Sequence, residues 1–145
     1  MERKNKIALS FAVFGLLMVL LVFTIENFSE QHKPELSDEN AFKSIVTGTT
    51  GQGDVAIELR PHKIAEGKLE VDITANTHSV DLSQFDLKKI MTLEFEETFM
   101  NPVTAPALSG HHSSGTIVFE VGKEVTSFTI RIDGIPDVEE RLYQW

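Results

Sequence analysis

Three histidines and one aspartate are the residues of this chain whose type and spacing best suit chemistry. His78 lies in the run Asn76-Thr77-His78-Ser79-Val80-Asp81-Leu82, and His111 and His112 lie in Ser109-Gly110-His111-His112-Ser113-Ser114-Gly115. Each run is a small polar loop at the end of an apolar stretch, where a rigid scaffold presents functional groups. Imidazole nitrogens bind zinc and copper, so His78 with His111 or His112, completed by Asp81 or a nearby Glu, is a candidate ligand set for one ion. Successive residues of an extended chain face opposite ways, so His111 and His112 converge only if the backbone bends, and Gly110 and Gly115 permit that. Met91 and Met100 are conceivable soft ligands for Cu(I), although Met91 reads more simply as core. The competing reading is structural. His78, Asn76 and Asp81 then cap a turn, and HHSSG is a loop whose serines satisfy carbonyls at an unpaired strand end. His32 and His62 read as solvated.

Other chemistries leave fainter marks. There is no GxSxG elbow, and Ser79 beside His78 does not make a triad by order alone. Asp81 and Asp86 bracket LSQF, but DLSQFD lacks the alternating oxygens and the glycine of a calcium loop. The chain has no cysteine, which removes thiolate nucleophiles, thiolate zinc sites, CxxCH haem attachment and blue-copper ligation. No glycine-rich phosphate loop follows a strand, so no catalytic set is recognisable and the chain reads as non-enzymatic.

Positioning these loops falls to strands, because the dominant signal beyond Ala41 is period-2 alternation. Val55, Ile57 and Leu59 share one face, as do Leu69, Val71, Ile73 and Ala75. Met91, Leu93 and Phe95 repeat the pattern, followed by Ile117, Phe119 and Val121, and by Phe128, Ile130 and Ile132. Phe42, Ile45 and Val46 begin it irregularly, and Val138, Leu142, Tyr143 and Trp145 suggest a last strand. DLSQFDLKKI allows one or two helical turns. Glu94, Glu96, Glu97, Glu139, Glu140 and Arg141 read as solvent-facing. Six or seven short strands separated by Gly, Pro or Asn predict an all-β fold, an antiparallel two-sheet sandwich of immunoglobulin-like architecture over residues 41–145. Without cysteine it must stand on packing alone.

Ahead of that domain, Ile7 to Ile25 is nineteen consecutive residues without a charge. Such a run crosses the roughly 30 Å hydrocarbon core as a helix. Arg3, Lys4 and Lys6 precede it and an acidic stretch follows, which places residues 1–6 in the cytoplasm and the C-terminal mass outside. The apolar run exceeds a cleavable signal's, and no small-x-small site follows, so the expectation is an uncleaved signal anchor with residues 26–40 as a polar stalk. From Glu26 onward there are 21 Asp and Glu against 10 Lys and Arg. Nucleic acid is therefore excluded as a partner, since it needs a clustered basic surface.

The stretch from Asp54 to Trp145 resembles small exported or membrane-anchored prokaryotic β-sandwich domains with no settled function. The likeness rests on a strand followed by NTHSVDL, an FDL shortly after, NPVTAP, SGHHSSGTIVFEV and a closing strand ending in an aromatic residue. It implies an all-β sandwich outside the cytoplasm and supplies no activity, ligand or partner. The leading functional expectation is thus a single-pass membrane protein whose β-domain binds another component of the cell envelope. Its contact surface would be strand edges or a patch around Phe95, Phe99, Met100 and Pro102. The alternative is a copper or zinc domain using His78, His111 and His112.

Overall fold

Alternation becomes sheet wherever the sequence carries it. The computed structural model describes residues 42–145; the expected cytoplasmic segment (1–6), span (7–25) and stalk (26–40) lie outside these residues. Among the described residues no helix is long and apolar enough to cross a membrane. Eight strands form: β1 (Ile45–Thr47), β2 (Val55–Pro61), β3 (Lys68–Thr77), β4 (Met91–Phe95), β5 (Thr98–Met100), β6 (His112–Glu120), β7 (Thr129–Asp133) and β8 (Glu140–Gln144). They pair antiparallel in two four-stranded sheets, ordered β1-β2-β3-β6 and β5-β4-β7-β8. Between β3 and β4 lie a 3₁₀ turn (Leu82–Gln84) and a one-turn helix, α1 (Leu87–Ile90), the turns that DLSQFDLKKI allowed.

The inward parities of β2, β3, β4, β6 and β7 are those read from the sequence. Ile57, Leu59, Val71, Leu93, Ile117, Phe119, Ile130 and Ile132 are fully buried in one core between the sheets. Each such side chain contributes roughly 1.5–3 kcal/mol relative to exposure, which is how a domain without disulfides stays folded. The strand order is not that of an immunoglobulin domain. There the second strand pairs with a later, non-consecutive one, whereas here β1, β2 and β3 form a meander.

Three further expectations change. HHSSG is not a loop: His112 opens β6 and pairs with Asn76, and Ser113, Ser114 and Gly115 pair with Ala75, Thr74 and Ile73. Polar side chains do not end a strand when the backbone can continue its ladder. Gly115 is needed for packing, since a Cβ there would lie 2.6 Å from Pro106. β8 is in the opposite phase from the one Leu142 suggested. Arg141 and Tyr143 point inward at 0% exposure, and Leu142 points out at 50%. Finally, β5 was not foreseen; of the expected patch, Phe95 and Pro102 are buried and only Phe99 is well exposed.

The registers define two ends. Loops 48–54, 78–90 and 134–139 gather at one, with His111 and His112; this is the histidine end. At the other lie loops 62–67, 96–97 and 121–128, together with both limits of the described chain. There Phe42 meets Phe128 edge-on at 5.0 Å, Phe128 stacks on Trp145 at 5.2 Å, and the Trp145 indole Nε1 donates to the Lys43 carbonyl at 2.7 Å. The segment 101–111 climbs the side between the sheets. On the way it bonds β6 through Val103 N to Val118 O and Val118 N to Thr104 O, both 2.9 Å.

Candidate functional site

The register of β3 and β6 brings both histidine segments to one corner. Asn76 lies opposite His112, and one pair further Thr77 N donates to the His111 carbonyl at 2.9 Å. His78 follows directly, exposed like His111 and His112. The three side chains do not converge. His112 Nδ1 is hydrogen-bonded to Asn76 Oδ1 at 2.8 Å, on the outer face of the sheet. Asp81 caps the 3₁₀ turn, accepting from the Ser83 amide at 3.0 Å and from its hydroxyl at 2.7 Å. Those bonds hold its carboxyl below the usual carboxylate range, the hydroxyl's being the larger effect. Among the described residues, no three His, Asp or Glu side chains form a group able to hold a metal ion. Met91 is core and Met100 is half-buried.

The surrounding groups are committed to structure. Thr77 Oγ1 donates to the Asp54 carbonyl at 2.7 Å and accepts from the amides of Ser79 and Val80. Ser79 Oγ accepts from Gly53 N at 2.8 Å, which ties the turn after β3 to loop 48–54. Asp86 caps α1, and Lys89 pairs with its carboxylate at 2.9 Å, holding its pKa down. His62, expected in solvent, has its side chain 37% exposed and hydrogen-bonded to Asp72 at 2.7 Å, and Asp72 also accepts from Thr116. A cleft of about 260 Å³ between Ser83–Lys88 and Ala105–Leu108 is open and smaller than typical ligand pockets.

The most tightly wired polar cluster is one that sequence reading placed in solvent. Arg141 sits fully buried beneath β1, its Nη1 donating to Thr47 Oγ1 at 3.0 Å and its Nη2 to the Pro136 carbonyl at 2.7 Å and to Asp137. Asp137, in the left-handed region at φ 71°, also accepts from the amides of Thr49 and Val55. Tyr143 OH bonds Thr47 Oγ1 at 2.6 Å and donates to the Ile57 carbonyl at 3.2 Å. Burial pushes its phenol pKa up. The cluster crosslinks β1 and β2 of one sheet to β8 of the other. The signal for it was parity: if Tyr143 and Trp145 face in, Arg141 must as well.

Apolar exposure has its own pattern. The large apolar side chains left exposed are Val46 at 58%, Phe99 at 61%, Val103 at 44% and Leu142 at 50%. Val46, Phe99 and Leu142 lie on the edge strands β1, β5 and β8, and Val103 on the segment running along β6. Comparison with protein-family models, curated proteins and solved structures finds no match to this chain.

Proposed function

We propose that this chain is a single-pass membrane-anchored accessory module whose β-domain, outside the cytoplasm, binds another component of the envelope without catalysis of its own. The observation that carries the reading is the placement of exposed apolar side chains. Single exposed apolar residues are ordinary on any surface. Here all four lie along sheet edges, where backbone groups can recruit another strand. The anchor is supported by the charge-free run 7–25 and its basic flank. Crosslinking in native membranes tests the reading: the full chain should enter discrete adducts, and external protease on intact cells should trim residues 42–145. Absence of every adduct, or a protected C-terminal mass, would sink it.

A second reading, a copper or zinc site at His78, His111 and His112, draws on one feature, the β3–β6 register that brings their segments to one corner. It requires the His112–Asn76 bond to open. Purified protein should then retain about one equivalent of metal, and His78→Ala with His112→Ala should abolish retention. Retention unchanged in that double variant would reject it.

A further inference from the structure

We infer that the edges bind a second copy of this chain, β8 of one copy pairing antiparallel with β5 of the next, Leu142 opposite Phe99. The inference rests on the binding reading above and names its partner.

Backbone phase comes first. Phe128 and Trp145 exchange both N–H···O bonds, at 3.1 and 3.0 Å. Backbone direction alternates along a strand, so Tyr143 and Arg141 also bond toward β7, while Gln144, Leu142 and Glu140 direct N–H and C=O out of the edge. Carrying the same phase across β7 and β4 makes Leu93–Met100 and Phe95–Thr98 the bonded pairs of β4 and β5. Phe99 therefore points its backbone outward too. Among the described residues these outward groups have no backbone partner. Phe99 and Leu142 thus share three properties: the same sheet, the same outer face and backbone bonds aimed off the edge, one at each side.

Placing these edges together forms an exchanged hydrogen-bonded pair between Phe99 and Leu142, and it covers both exposed side chains. The flanking positions lie just outside β5: Asn101, whose Nδ2 donates to the Met91 carbonyl at 2.8 Å, falls opposite Glu140, and Glu97 of the preceding turn falls opposite Gln144, so no like charges oppose. The side with β8 also carries Val46 on β1, and the side with β5 also carries Val103, so each side offers two apolar residues to the other. The inner positions need no repacking, because Arg141 and Tyr143 are already buried.

Direction distinguishes this pairing from its rival. β8 runs toward the Trp145 end and β5 away from it, so neighbours joined β8 to β5 are related without inversion. Every copy then presents Phe42 at the same end, as anchoring in one membrane demands. Symmetric β8–β8 pairing would place the two Phe42 ends at opposite ends. The head-to-tail contact is heterologous and does not close on itself, so it extends into rows. The acidic charge of the chain opposes the association, which should strengthen with salt.

The absence of native cysteine makes the test direct. Opposed residues of a bonded pair have Cα atoms about 5.5 Å apart, within disulfide reach. The full chain is expressed in membranes as Phe99→Cys, as Leu142→Cys and as the double variant, then mildly oxidised. The double variant should give a ladder of dimer, trimer and higher species. The two single variants co-expressed should give dimer only, and each single variant alone should stay monomeric. A dimer from Leu142→Cys alone, as strong as that from co-expression, would establish symmetric pairing and overturn the inference; so would a double variant that stays monomeric. A general crosslinker on the same membranes separates the two readings. Adducts with other proteins and no ladder reject self-pairing alone, whereas neither adduct nor ladder rejects both.

Discussion

Substituting Asp137 by Asn should expose how much the domain depends on its buried ion pair. The Arg141 side chain is fully buried and the Asp137 side chain is 14% exposed. Asn keeps the shape, tolerates the left-handed backbone at this position and can still accept one hydrogen bond. It removes the charge that compensates a guanidinium held away from water. Breaking a buried pair by removing one partner costs about 3–5 kcal/mol. The residual exposure and the remaining amide oxygen place this case at the low end, about 3 kcal/mol. For a domain of this size that is a fall in melting temperature of about 12–24 °C.

Urea and thermal denaturation of residues 26–145, followed by circular dichroism, would measure the loss. The reasoning makes a second demand. Arg141→Met in the Asp137→Asn background removes the stranded charge and fills its site with apolar atoms, so the double variant should be more stable than Asp137→Asn alone. A loss below about 1 kcal/mol for Asp137→Asn, or strictly additive losses in the double variant, would show that the pair is not energetically coupled.

Tyr143→Phe should cost about 1 kcal/mol at neutral pH through the lost bonds to Thr47 and Ile57. Because burial raises the phenol pKa above 10.0, its linkage stabilises fully below that value and fades as pH rises through the folded pKa, so the variant should lose the alkaline fall in melting temperature. Gly48→Ala should destabilise by at least about 2 kcal/mol, since its φ is +75° and a Cβ would meet the Val55 carbonyl at 2.2 Å; Gly110→Ala, at φ +64° in open space, should cost about 1 kcal/mol, a difference that denaturant midpoints resolve. Asp81 and Asp86 have carboxyls held below 3.8, so their contribution is complete above that pH and lost as pH falls through the lowered values. Asn at both positions still caps, so neutral-pH stability should hold while the acid limb of a melting-temperature profile flattens.

What was legible follows from how far each signal is local. Inward positions of β2, β3, β4, β6 and β7 were readable because both their parity and their apolar content point one way. β8 failed because Leu142 and Tyr143 vote for opposite faces, and hydrophobicity alone cannot rank them. What decides is largely non-local: Thr47 and Ile57, far away in sequence, join Pro136 and Asp137 in bonding both terminal nitrogens of Arg141 and the Tyr143 hydroxyl inside, leaving the Arg141 Nε without a partner. The HHSSG segment failed for a related reason. Small polar residues carry little strand propensity, but the ladder offered by β3 outweighs propensity once Asn76 to Ile73 lie alongside. The β3–β6 register meets the metal reading's condition that the histidine segments share one end, yet adjacency of segments is a backbone fact, and convergence of rings depends on side-chain directions that sequence spacing does not contain.

The edges show which exposures are managed and which are left. A sheet edge invites aggregation unless it is short, charged, bulged or covered. The β6 edge is covered at Val118 by Val103 and Thr104, and β1 and β5 have three residues each. β8 differs. It is five residues long, contains neither Lys nor Pro, and places Leu142 at its midpoint with half its surface in water. The same strand carries Arg141 and Tyr143, two fully buried side chains whose hydrogen bonds to the other sheet hold it in place. Rigidity on the inner side combined with an unprotected outer edge is what a docking strand needs, because little order remains to be gained when a partner strand arrives. With β5 short but carrying the exposed Phe99, the longer β8 edge with Leu142 between Glu140 and Gln144 is the strand from which association should begin.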